Sequence, residues 1–221
     1  TGSVFGDDSA LLVDGVNNKI VGPVDTASLR TSELTIALGA LAGETNQGLT
    51  AVAIGGAAGY TDQSTGALAV GYGAGYTGQG VDTVAVGKSA GRTNQGVSAV
   101  AVGESAGYTT QSANAVALGF EAGKTTQGNS AVAIGKEAGE TTQGTKAVAI
   151  GSLAGKVNQG NEAVALGNLA GFGNQAANSI IINATGTMLD NIVADTFVVK
   201  PVRNAVGTTI MMYDAGTGEV T

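Results

Sequence analysis

Nine glutamines, Gln47, Gln63, Gln79, Gln95, Gln111, Gln127, Gln143, Gln159 and Gln175, recur every sixteen residues in a chain of 221. A glutamine amide donates and accepts hydrogen bonds but makes no bonds of its own, so its chemistry is recognition. On strands stacked about 4.8 Å apart, such amides can form a ladder, each NH2 meeting the next carbonyl and locking a turn. Three places earlier in the same period stands a second column: Glu44, Tyr60, Tyr76, Arg92, Tyr108, Lys124, Glu140, Lys156 and Phe172. Its members are large, variable and mostly polar, as on a solvent-facing surface. Stacking would put Arg92 between Tyr76 and Tyr108 in a cation–π sandwich, and Glu140 between Lys124 and Lys156. Tyr72 and Phe120 lie four places earlier again. Exposed aromatics among polar neighbours suit sugar contact, so Tyr60, Tyr72, Tyr76, Arg92, Tyr108 and Phe120 form a candidate glycan strip.

The residues for bond-making chemistry are missing. The chain has no histidine and no cysteine, which removes the commonest general base and metal ligand and any thiolate site or disulfide. No G-x-S-x-G motif occurs. The G-x-x-A-G runs, such as Gly135 to Gly139, lack the following helix and Lys-Ser/Thr of a phosphate loop and read as turns. Asp7 and Asp8 lack the spacing of a calcium loop. No catalytic residue, metal or cofactor is expected, and the chain is not expected to be an enzyme. The net charge of −7 divides into −3 for residues 1–34, −2 for 35–178 and −2 for 179–221. With no basic stripe, nucleic acid is not an expected partner. No apolar run approaches the roughly 18 residues of a membrane helix, so membrane insertion is not expected. The opening TGSVFGDD has no charged or apolar leader segment, so no signal peptide is expected.

Both columns belong to one sixteen-residue unit written nine times without a gap, starting at Thr35, Ala51, Ala67, Thr83, Ala99, Ala115, Ala131, Ala147 and Ala163. Ala at the third and eighth places, Gly at the fifth and ninth, and Gln at the thirteenth never vary. A fixed period without insertions marks a solenoid, in which each unit packs only on its neighbours. Sixteen residues cannot hold a pair of helices. They suit one coil of two short strands and two tight turns, with Gly at the bends.

Places two to four read Val-Ala-Ile or close to it, as in Val52-Ala53-Ile54. Alternate side chains of a strand face opposite ways, so both faces here are apolar and both need covering. The invariant Ala columns fit the inside of a narrow, flattened coil. The second and fourth places vary among Val, Leu and Ile, which fits an axis shared between chains, and a homo-oligomer is expected. Residues 1–34 break the period and read as an adaptor or cap, with strands at 9–13 and around Lys19-Ile20-Val21 and a turn at Asp14-Gly15. Residues 179–221 read as a second small β module. It opens with a last coil strand, Ser179 to Asn183, whose Ile residues suggest a plug ending the narrow interior. Strands at 196–200 and 209–213 and a turn at Gly216-Thr217-Gly218 follow.

The unit AVAIGKEAG resembles the head repeat of YadA-like trimeric autotransporter adhesins. The likeness covers residues 35–178 and implies a left-handed parallel β-roll, three of which pack about one axis. That family's coil has about fourteen residues and no Gln turn, so one turn here should be longer. The flank GSVFGDDSALLVDGVNNKIVGPV resembles structural and fibre proteins of marine bacteriophages. FVVKPVRN with MMYDAGTGEVT is similar to the end of phage and large-virus fibres, ahead of an intramolecular chaperone domain. The expected molecule is therefore all-β: a homotrimeric, parallel β-solenoid of nine sixteen-residue coils with small β modules at both ends. The expected role is a virion tail-fibre segment that extends toward the host surface and contacts a receptor or glycan there. The alternative is a bacterial cell-surface adhesin head. A minor alternative is an ice-binding solenoid, disfavoured because the Thr column lacks a regular Thr-x-Thr face.

Overall fold

In the computed structural model, residues 35–202 and two short strands, Leu12–Asp14 and Lys19–Val21, are described. The two short strands pair antiparallel, Leu12 opposite Val21, as the hairpin expected in that segment. The rest of residues 1–34, and residues 203–221 with the expected strand at 209–213 and the Gly216–Gly218 turn, lie outside the described residues.

The repeats coil into a parallel β-solenoid, and among the described residues no helix forms. Each Val-Ala-Ile segment is a three-residue strand, and each Thr-x-Gln segment is a second strand across the coil. Strands of the first kind stack into one sheet of eleven, from Ile36–Leu38 to Phe197–Lys200, and strands of the second kind into a sheet of seven. Register is the period itself: Val100, Ala101 and Val102 oppose Val116, Ala117 and Leu118. Bridges Gln143–Gln159 and Val157–Gly173 carry the second sheet on into later coils.

The core between the sheets is almost wholly alanine. The third- and eighth-place columns, from Ala53 and Ala58 to Ala165 and Ala170, are fully buried. Ala therefore faces in, and the second and fourth places face out. The first place also lies inside, which its mixed composition concealed. Thr83 is tolerated there because its Oγ1 donates to the Gly80 carbonyl at 2.9 Å, and Ser179 because its Oγ donates to the Ala176 carbonyl at 2.7 Å.

The two invariant glycine columns have separate causes. At the fifth place φ lies near +130°, as in Gly119 at 131°, where only glycine is at ease. A Cβ on Gly119 would also stand 2.7 Å from the Gly135 carbonyl oxygen of the next coil. At the ninth place the obstacle is the glutamine: a Cβ on Gly107 would meet Gln111 Oε1 at 2.8 Å. Gly119→Ala is expected to cost about 2–4 kcal/mol, combining backbone strain with a clash against main chain that cannot rotate away. Thermal melting against wild type checks this; an unchanged midpoint would show that the coils can spread apart freely.

Other bends use left-handed residues that are not glycine. Seventh-place residues such as Glu137, φ 54°, and sixteenth-place residues such as Lys146, φ 56°, both occupy this region. At the twelfth place the sequence chooses. Asn46, Asp62, Asn94, Asn158 and Asn174 are left-handed at φ 52–56°; the short polar side chains of Asn and Asp tolerate that region. Thr110, Thr126 and Thr142, β-branched, replace them in three successive coils and avoid it. The strand there shortens from three residues, Thr93–Gln95, to two, Thr110–Gln111.

The interior does not end at Asn178. Ile180–Asn183 pairs in register with Val164–Leu166, and Ile181 is fully buried in the third-place column. Phe197–Lys200 then pairs parallel with Ile180–Asn183, so the sheet runs through the segment expected to be a plug. In this coil Leu189 bridges Ala170, and the Asn191 carbonyl accepts from the Ala176 amide at 2.8 Å. Asn191, shorter than glutamine, is buried as the amide of the last coil. Ile181 and Leu189 join the alanine columns as the core of this coil.

Candidate functional site

The glutamine column is an interior device. From Gln63 onward every member is buried, and its side chain spans the coil from the Thr-x-Gln sheet to the Val-Ala-Ile sheet. Gln111 is typical: Nε2 donates to the Val100 carbonyl at 2.8 Å, to the Ala115 carbonyl at 3.2 Å and to Gln127 Oε1 at 3.0 Å. The expected ladder therefore exists, running unbroken from Gln79 to Gln175 at 3.0–3.3 Å per step. Gln47 meets Gln63 at 3.2 Å. The ladder is interrupted between Gln63 and Gln79, where the buried Gln79 Oε1 accepts nothing. The expectation that it locks a turn missed its main work, which is to fasten one sheet to the other through backbone carbonyls.

The tenth-place column lies on the outside at the end of the Gly-x-x-Ala-Gly turn, half-buried by its own stacking. Tyr60 and Tyr76 stack with centroids 4.9 Å apart and planes at 17°, which is the coil spacing expressed in rings. The Arg92 guanidinium sits 5.2 Å from the Tyr76 centroid and 5.4 Å from that of Tyr108, and Nη1 donates to the Tyr108 hydroxyl. The sandwich expected at Arg92 is thus formed. Because Tyr60 lies on one side of Tyr76 and Arg92 on the other, both faces of that ring are occupied, leaving its edge and hydroxyl to the outside. Tyr72, 69% exposed, and Phe120, 43% exposed, are the open rings of the candidate strip. The Tyr72 ring edge reaches over Gly56 of the preceding coil, where an added Cβ would find it at 3.3 Å.

Farther along, the column turns ionic. Glu140 pairs with Lys156 at 3.2 Å, but Lys124 takes Glu121 of its own coil at 2.8 Å. Glu121 and Glu137 stand at the seventh place, which reaches the tenth across the turn, and this relation could not be seen in the period. Lys156 also meets Glu137 at 2.5 Å. Its hydrogen bond is the chief cause that holds the Glu137 carboxyl below its ordinary pKa and raises the lysine above its own, with Lys136 adding to the effect on Glu137. The bond that Lys124 donates to Glu121 likewise raises the lysine. Among the described residues no group of three or more acidic, cysteine or histidine side chains is placed to hold a metal ion. Compared with protein families, with curated proteins and with solved structures, the chain matches none of them.

Proposed function

We propose that the chain is a segment of a homotrimeric fibre. Three rolls pack through the outer faces of their Val-Ala-Ile sheets, and the fibre extends from a virion toward a host surface that its outward columns contact. One observation carries this reading: the outward second- and fourth-place strip is apolar without interruption, from Ile36 and Leu38 to Phe197 and Val199, and none of it is buried in the single chain. Leu38, Ile54, Leu118, Leu166, Ile180 and Phe197 are each more than a third exposed. Two columns on eleven strands spaced about 4.8 Å make a strip roughly 50 Å long, larger than the apolar patch a monomer ordinarily leaves in water.

The core supports the same reading. Apart from Ile181, the largest fully buried side chains are polar, led by the glutamines. A core of alanine methyls yields little hydrophobic stabilisation for each residue ordered, so the roll depends on its hydrogen-bond ladders and on covering its outer face. The three-fold count and the virion location rest on the resemblances of the repeat and the flanks. Light scattering on the assembled protein is expected to give a mass of three chains of 21.4 kDa each. A one-chain mass would overturn the argument from the apolar strip, and a two-chain mass the three-fold axis.

A further inference from the structure

We infer that Arg92 is an anion-recognition point on this surface, and that its ligand is an acidic glycan whose carboxylate or sulfate binds in the guanidinium plane. The inference rests on the reading of the chain as a surface-contacting fibre.

The repeats hold six cations. Lys88 pairs with Glu104 at 2.8 Å, Lys124 with Glu121 at 2.8 Å, Lys136 with Glu137 at 3.3 Å, Lys146 with Glu162 at 3.0 Å and Lys156 with Glu137 at 2.5 Å. Among the described residues Arg92 alone of these six has no carboxylate partner. Acids are not in short supply in a chain of net charge −7.

The turn itself explains the exception. Where Lys124 stands at the tenth place, Glu121 stands at the seventh and neutralises it. At the same relation to Arg92 stands Ser89, with the same left-handed backbone at φ 56°. The position that supplies an internal carboxylate two coils later is left small here. Above Gly73, in the coil before, an added Cβ would meet nothing closer than Ser89 Oγ at 3.8 Å, so the seventh-place column is uncrowded at Ser89.

The aromatic sandwich does not satisfy the arginine. Tyr76 and Tyr108 cover its two faces, but the five N–H donors lie in the plane, and among the described residues only Tyr108 Oη takes one. A planar fork clamped between rings has lost its freedom before any ligand arrives, which favours bidentate binding of a carboxylate or sulfate. In the preceding coil Tyr72, 69% exposed, stands across the turn from Tyr76 and offers an open ring for the apolar face of a sugar, which favours a glycan over a bare anion.

Calorimetric titration of the assembled protein with a hexuronate oligosaccharide, a sulfated oligosaccharide and a neutral one tests this. At least one anionic probe is expected to bind, more weakly as salt rises, and the neutral one not to bind measurably. Which anion is preferred then names the source of the charge. Arg92→Gln is expected to weaken binding about tenfold or more, the scale of losing a charge-assisted pair. Ser89→Glu should do the same while keeping the arginine, by building the internal partner that Lys124 already has; Glu121 and Glu137 show that the fold accepts glutamate there. Equal binding of the neutral probe, no binding of either anionic probe, or undiminished binding by both variants would overturn the inference. The mass measurement reports separately on the fibre, so a trimer indifferent to anions would sink this site and leave the assembly standing.

Discussion

Replacing Ile134 and Ile150 by aspartate is expected to abolish assembly and leave aggregated or unfolded chain in place of soluble monomer. Both residues are fourth-place, point away from the alanine core and are half-buried in the single chain. In a trimer the double variant brings six carboxylates, two from each of three chains, toward one axis. Each substitution gives up about 1.5–3 kcal/mol of apolar burial, and the desolvation of unpaired charge adds to it. The lesion lies in adjacent coils, Val132–Ile134 pairing directly with Val148–Ile150, so the charges also repel along the roll. Monomer is not expected to persist, because the alanine core alone offers too little to hold it. Lys136→Asp, outside the strip in the neighbouring turn, is the matched control and should assemble. Light scattering and circular dichroism decide: folded single chains from the Ile134→Asp, Ile150→Asp protein would show that the roll stands without its partners.

Gln111→Leu should be the most damaging single substitution inside the roll, at about 2–5 kcal/mol for each chain. Leucine keeps much of the volume but strands Gln127 Oε1, removes the side-chain donor from the Val100 and Ala115 carbonyls and takes from Gln95 Nε2 its acceptor along the ladder. Each buried polar group left without a partner costs about 1–3 kcal/mol. Gln79→Leu should cost less, because Gln79 Oε1 already accepts nothing. Thr109→Ser, exposed and two places before Gln111, should change stability by less than about 0.5 kcal/mol. In a solenoid each coil is stabilised only through its neighbours, so a break in the middle should also broaden the melting transition. Equal melting of all three variants would mean that the backbone ladders hold the coil closed without the amide.

What could be read along the column was legible from the sequence, because a fixed period stacks like on like. The strand positions, the inward alanines, the glutamine ladder and the Arg92 sandwich are all relations between a residue and its copy sixteen places on, and sheet spacing alone sets that distance. What crosses the coil was not legible. That the glutamines reach the carbonyls of the facing sheet, that ninth-place glycine is required by the glutamine it touches, and that Lys124 takes Glu121 and not Glu140 all depend on how the turns fold back. Those turns run through left-handed residues at the seventh and sixteenth places, filled by Glu, Leu, Ser, Lys and Asn alike, so composition carries no mark of them. The continuation of the sheet through Ile181 and Leu189 was hidden for a related reason. A bulky residue in a small column reads as an obstruction until Ile181 and Leu189 are seen to continue the alanine core, and only the packed coil brings those two side chains together.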